Sequence, residues 1–401
     1  MERRKPAKVL IVGGGVGALE AALALRDLAG EKVEVEIYAG RGDFVYRPFA
    51  VGEPYGASRV LRYDLERLAD RCGAEFRLAN VGWVDTALRC AHTHDGGEIP
   101  YDYLIVACGA RLLWSVPGAV TFWGVADEGE VQEVVNRLRE GRLRRLVFTM
   151  PGGHGWALPA YELALLAATE LKRSGIAGTQ LTIVTPEDGP LQIFGRRASE
   201  QVARLLAEHG IEVLTGTHPV KYEDGLLSIV PGEEIEADAV VSLPRLEGRR
   251  IEGLPYDATD FIPVDDHMRV PGVPNVFAIG DVTNFPVKQG GIATQHADVA
   301  AEAIALELGC EVEANPLDPV LRGILWTGTK PRYLFGWLGG GHGETSVASD
   351  RPPWPVDNPS KLIGRYLTPF LAGLDGSFGN AGGNGNGTLS GLAESDVSER
   401  R

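Results

Sequence analysis

Glu162 is the lone charge between His154 and Glu170, in a run reading WALPAYELALLAAT. A carboxylate on such an apolar face takes a raised pKa when buried, which suits proton delivery during a two-electron reaction. The structural alternative is that Glu162 caps or pairs at a helix start, where the helix dipole also favours a carboxylate. Trp156 lies six residues earlier, where its ring can line a reaction pocket or simply fill space. Lys288, in PVKQGG, precedes a long alanine-rich run and offers a cation to an anionic group or to solvent. Cys72, Cys90, Cys108 and Cys310 show no CxxC pair and no metal-ligand spacing, so neither a disulfide framework nor a metal centre is expected. The histidines of CAHTHDGGEIP flank a predicted Asp95-Gly96 hairpin turn, not a metal site.

These residues need elements to position them. The run Lys8–Val12 is β-branched and apolar, GGGVGALEAALALRDLAG follows as glycines and then a helix, and KVEVEIYA alternates as a strand. Gly13, Gly15 and Ala18 fall at G-x-G-x-x-A spacing, with Gly14 and Gly17 beside them. This pattern permits a tight turn, lets backbone approach a pyrophosphate and places that anion at a helix N-terminus. The acid that usually holds the ribose hydroxyls is missing: its place falls at Ala39, with Asp43 four residues on. Ribose recognition therefore uses backbone or another side chain. Further on, YDYLIVACGA is a buried strand running into Ala107, Cys108 and Gly109, and a second strand–helix series begins with a helix at 128–139. Its strands are LRRLVFTM, QLTIVTPE and GIEVLTGT.

The segment NVFAIGDVTNFPVKQGGIATQHAD closely resembles the flavoprotein pattern in which a Gly-Asp pair, here Gly280 and Asp281, meets the ribityl and phosphate end of FAD. In that pattern the next helix N-terminus, here around Gln289 and Gly290, faces the flavin. Taken with the Gly13 loop and the Ala107–Gly109 strand end, it makes the chain resemble the two-dinucleotide-domain FAD-dependent oxidoreductases over roughly residues 7–310. Within them it resembles the sulfide:quinone oxidoreductase and type II NADH dehydrogenase branch. The resemblance implies non-covalent FAD, with Arg47 and Pro48 of DFVYRPFAVGE leading to the flavin ring. It also implies a Val81 backbone contact to adenine, and Cys108 standing where threonine is usual. No cysteine lies in residues 43–56 to form a covalent flavin link.

In sulfide:quinone oxidoreductases the stretch at 151–166 carries a redox cysteine before Pro-x-Tyr-Glu. Pro159, Tyr161 and Glu162 match, but Trp156 takes the cysteine position and no second cysteine follows at a suitable place. A disulfide relay needs two sulfurs within reach of each other, so sulfide oxidation by that route is not expected. The glycines at 152, 153 and 155 are out of register for a dinucleotide loop, yet the helix N-terminus remains and Glu187 ends the next strand, slightly late for a ribose acid.

The expected fold is thus α/β, with two Rossmann-like doubly wound domains and a small C-terminal region. The FAD domain covers 1–118 and 255–310, the NAD(P)H-type domain 119–254, a pocket-closing or interface region 311–372 and a disordered tail 373–401. Leu362, Ile363, Tyr366, Leu367 and Phe370 follow helical spacing suited to a dimer interface, core, quinone channel or membrane surface. The expected activity passes electrons from a reductant such as NAD(P)H through FAD to a quinone or small acceptor, with Glu162, Lys288 and Trp156 lining the site. The alternatives are a flavin-binding regulatory protein with degenerate chemistry and a sulfide:quinone oxidoreductase-like enzyme. With 39 basic and 54 acidic residues the net charge is −15, which disfavours nucleic acid as a partner. No secretory signal or membrane span is read, so the expected setting is a cytoplasmic homodimer, with peripheral contact to the inner face of a membrane.

Overall fold

A computed structural model describes residues 5–124, 129–338, 347–353 and 361–374. The tail expected to be unstructured lies outside the described residues from position 375 on. Among the described residues two parallel five-stranded sheets form the frame, with smaller antiparallel sheets beside them. In the first, the order is Val276–Ala278, Tyr103–Val106, Ala7–Val12, Val33–Ala39 and Ala74–Leu78. The last strand in sequence thus returns to the edge beside Tyr103–Val106 after the chain has built the second sheet. The central strand Ala7–Val12 is covered on both faces, as a parallel strand must be. Val9 and Ile11 join the core beneath α1 (Val16–Ala29), while Leu10 and Val12 join a separate cluster with Leu104, Val106 and Ile251.

The second sheet runs Val120–Thr121, Ala239–Ser242, Arg145–Thr149, Gln180–Val184 and Ile211–Leu214, again all parallel. The helices that link the strands are α2 (Leu65–Cys72) in the first unit and α3 (Glu130–Arg139), α4 (Leu158–Arg173) and α5 (Arg196–Glu208) in the second. The long α6 (Gly290–Glu307) packs along α1 in the first unit. An antiparallel sheet of Val320–Leu325, Arg332–Trp337 and Val347–Ser349 closes one side.

The helical spacing read at 362–370 is only partly realised. The helix α7 covers Leu367–Ala372 alone, and residues 361–366 form a non-helical strap. Leu362 and Leu367 are 2 % and 0 % exposed and belong to the main core, because Gly364 breaks the helix and lays the strap on α1 and α6. Among the uses foreseen for this run, core packing is the one those two residues serve. Among the described residues no helix is long and apolar enough to cross a membrane.

Candidate active site

Both glycine-rich loops leave the C-terminal ends of parallel strands and open into one cleft, as ligand sites in open α/β sheets do. Gly13 has φ +131°, and a β-carbon there would stand 2.2 Å from the Ala107 carbonyl oxygen. Only glycine allows the loop to cross the neighbouring strand so closely. Gly15 serves as N-cap of α1 with open space beside it, leaving the first amides of the helix directed at the cleft. Ala18 does not line the cleft. It is wholly buried in α1, where a small residue lets the helix approach the sheet.

The cleft measures about 1510 Å³ and is bordered by Gly13, Gly14, Gly15, Gly17, Arg47, Pro48, Val81, Ala107, Cys108 and Gly109. Gly280, Asp281, Lys288, Gln289 and Gly290 also border it, as do Trp156, Glu162 and the loop of residues 152–155. That volume exceeds the roughly 300–1,000 Å³ of an ordinary small-molecule pocket, so it has room for a dinucleotide and a second molecule.

The electrostatics suit an anionic dinucleotide. Burial lowers the Arg47 pKa; Asp281 partly offsets this, while the like charges of Arg41 and Arg249 add to the lowering. Burial raises the Asp281 carboxyl, and the positive Lys288 and Arg47 pull it back. Lys288, 5 % exposed, is no solvated loop lysine: its ammonium donates to the Thr283 carbonyl and lies 3.6 Å from the centre of the Phe261 ring. Burial brings it down to about 8, against the pull of Asp281 and Asp257. The Gln289 side chain is occupied, accepting from Ile292 N as helix cap and donating to the Arg322 carbonyl, which leaves its backbone for the cleft. His296 sits inside α6 as a neutral ring, held at about 3 by burial, with Nδ1 accepting from Gly280 N.

Glu162 on α4 is 1 % exposed and receives Lys361 Nζ at 2.6 and 2.8 Å and Trp326 N at 2.9 Å. Burial raises its pKa, and Lys361 and the Trp326 amide oppose that rise. Burial equally lowers the Lys361 ammonium, with Glu162 countering. Lys361 also lies over the Trp326 indole, which stacks on Phe49. The sequence reading missed Lys361; in SKLIGRY it is one of two cations, Lys361 and Arg365, and nothing local tells the buried one from the exposed one. Trp156 meets Phe194 edge-on at 5.7 Å.

The second loop is zipped to the first unit: Gly155 N donates to the Pro286 carbonyl, and Lys288 N donates to the Gly155 carbonyl, both at 3.1 Å. Glu187 reaches the cleft at the end of its strand, but Tyr161 and Thr185 hydroxyls donate to one of its oxygens at 2.6 and 3.0 Å.

These residues fit FAD. The Gly13 cradle, the N-terminus of α1, the three arginines and Asp281 lie along one cleft, and the chain from Asp43 to Gly56 holds no cysteine for a covalent link. Fold and site together define a two-domain dinucleotide-dependent oxidoreductase. The chain belongs to the pyridine nucleotide-disulphide oxidoreductase family, which it matches over residues 7–303, and is an FAD-binding enzyme of that family. It is 25 % identical to the sulfide-quinone reductase of Aquifex aeolicus over 302 residues, 69 % of each chain. The solved structure of the Aquifex sulfide:quinone oxidoreductase superposes with a TM-score of 0.75 at 21 % identity, covering 86 % of both chains. The type II NADH:quinone oxidoreductase Ndh of Mycobacterium tuberculosis is 27 % identical over 363 residues, 78 % of this chain and 74 % of its own. The structure of NDH2 from Plasmodium falciparum in complex with NADH gives a TM-score of 0.64 at 14 % identity, with 86 % and 92 % coverage.

Proposed function

We propose that this enzyme takes two electrons from NAD(P)H and passes them to a quinone, without a cysteine relay. The observation that carries the reading is the cleft itself, which joins the Gly13 loop, the second glycine loop and the Glu162–Lys361 pair. FAD, when bound, supplies the two-electron transfer between donor and acceptor. The protein's own part begins with the Gly13 loop, Arg47 and Asp281, which hold and orient the dinucleotide. Lys288 keeps a positive charge close to it at neutral pH, where negative charge gains most from a fixed cation in a water-poor site.

The loop at 152–155 and the N-terminal turn of α4 receive the donor beside Glu187, whose carboxylate is held by the Tyr161 and Thr185 hydroxyls and the Leu191 backbone. Trp156 forms an apolar wall where a sulfur would stand in a disulfide enzyme. Glu162 and Lys361 share a proton network at the acceptor end, so a quinone oxygen placed beside Lys361 Nζ would draw a proton from it and Glu162 would hold the remaining charge balance. The named activities of the Mycobacterium and Aquifex relatives support a quinone acceptor.

Anaerobic addition of NADH, NADPH and sulfide in separate cuvettes tests this. Fast bleaching of the flavin absorbance by a nicotinamide, reversed by a short-chain quinone, is the expected result. Tight FAD with no bleaching by either nucleotide would overturn the nicotinamide donor, and bleaching by sulfide in that case would return the enzyme to sulfide oxidation.

A further inference from the structure

Lys361 does not belong to either dinucleotide unit; it arrives on the strap of residues 361–366, so something must seat that strap. Glu20 does so from α1. Although 0 % exposed, it accepts Tyr366 N at 2.9 Å and Leu367 N at 2.6 Å, one on each oxygen. The strap lies so close that a β-carbon on Gly364 would stand 2.7 Å from Glu20 Oε2 and 2.9 Å from the Thr294 methyl. Glycine at 364 is therefore a condition of the contact. Thr294 donates to the Ile363 carbonyl at 3.1 Å, and Leu362 N donates to the Tyr46 hydroxyl at 2.9 Å. The carboxylate, the threonine and the tyrosine together hold the strap at four residues, 362, 363, 366 and 367.

Beside Glu20, on α6, stands a second acid. Asp298 is in hydrogen-bonding relation with Glu20, and its Oδ1 is buried without a partner. Two carboxylates this close cannot both ionise in a buried place, so one proton is shared. The charges facing the pair are few. On the strap, Arg365 reaches Glu302 of α6 at 3.3 Å with its own side chain 58 % exposed, and the Tyr366 hydroxyl turns to Asp27 of α1 at 3.2 Å. Glu20 has backbone donors and needs its charge to accept them both; Asp298 has none. The proton therefore resides on Asp298, which donates to Glu20.

We infer that Glu20, bonded by protonated Asp298, is the positioning residue that seats the C-terminal strap and so keeps Lys361 on Glu162 for the reaction. The role of Lys361 in that reaction rests on the function proposed above; the seat itself does not. Loss of the Asp298 proton sets a second negative charge against Glu20, and relief comes from lifting the strap into water. Burial and Glu20 hold the Asp298 acid at about 8. A carboxyl raised in the folded state contributes stability that is complete below its unfolded pKa and lost as pH rises through the folded one. The seat is thus firmest in acid, loosens as pH rises toward about 8 and loses little more beyond it.

Amide hydrogen exchange of the FAD-loaded enzyme, read by mass spectrometry on peptides spanning 361–374, tests the seat without any turnover. After correction for intrinsic base catalysis, exchange in that peptide should rise by about tenfold between about pH 6.5 and 9.5. In Asp298→Asn, whose amide is a permanent neutral donor to Glu20, the rise should vanish. In Glu20→Gln, which faces two N–H donors with one oxygen, exchange should be fast at every pH. Steady-state kcat with a short-chain quinone should fall more steeply at alkaline pH in the wild type than in Asp298→Asn, and be reduced at every pH in Glu20→Gln with FAD content unchanged.

A wild-type strap whose corrected exchange is flat with pH would overturn the inference even if no variant folds. So would a Glu20→Gln enzyme with a released strap and unaltered kcat. If no nicotinamide bleaches the flavin while the exchange pattern holds, the function proposed above fails and the seat stands.

Discussion

Lys361 Nζ bridges both carboxylate oxygens of Glu162, at 2.6 and 2.8 Å, across 199 residues of sequence and with side chains 5 % and 1 % exposed. Two ions buried this far lose much of their hydration, and only a near-ideal mutual geometry offsets that cost. Such a pair is weak evidence for stability and stronger evidence for chemistry, because it keeps a movable proton at a fixed place beside the cleft.

Removing one member should expose the cost. Lys361→Met leaves the Glu162 carboxylate uncompensated, so the folded state should lose about 3 kcal/mol in urea denaturation. Quinone-dependent turnover should fall about a hundredfold as a positioned proton donor is lost. Glu162→Gln combined with Lys361→Met should recover most of the stability and none of the turnover. Recovery of turnover in the double variant would end the proton-delivery role.

The two glycines of the first loop should behave differently. Gly13→Ala meets the Ala107 carbonyl at 2.2 Å and demands a φ of +131°, so it should lower the melting temperature and abolish FAD loading together. Gly15 has an ordinary φ of −95° and open space, so Gly15→Ala should fold normally and only weaken FAD, by about tenfold. Differential scanning fluorimetry with and without added FAD separates the two outcomes.

Lys288 gives a pH signature. Its ammonium is depressed to about 8, so between that value and the usual lysine range the unfolded chain binds the additional proton and stability of the apo-protein rises with pH. FAD uptake should run the opposite way: affinity should drop about fivefold as pH climbs through that same titration and the nearby cation is lost. Lys288→Met should flatten both curves. A fluorescence titration of apo-protein with FAD across pH reads the effect directly.

Thiol chemistry should be dispensable. Burial pushes Cys108 up to about 11 and Cys72 up to about 12, so thiolate is scarce at both near neutrality. Treating the FAD-loaded enzyme with N-ethylmaleimide should change NAD(P)H-dependent turnover by less than about twofold. Loss of most activity would reinstate a cysteine step.

What is legible in the chain by itself is local. Gly13, Gly15 and Ala18 follow a β-branched strand at fixed spacing, and Gly280-Asp281 follows another, because a turn that meets a pyrophosphate is written in a few adjacent residues. The alternation of strand and helix likewise foretold two parallel sheets, since a parallel strand needs a crossover and a crossover leaves a long periodic run. Glu162 stood out as a charge without a local partner. Its partner did not, because Lys361 comes from a strap whose path is set by Gly364, Glu20 and Thr294, on three different elements. Glu20 carries no local mark of its role, being one charge in the apolar run GALEAALAL. Its use emerged only once the return of the chain laid α6 and residues 361–367 against α1. Spacing along the sequence determined the cofactor loop, whereas the pairing of buried charges was decided by tertiary structure alone, because ions removed from water find their counter-charges through space and not along the chain.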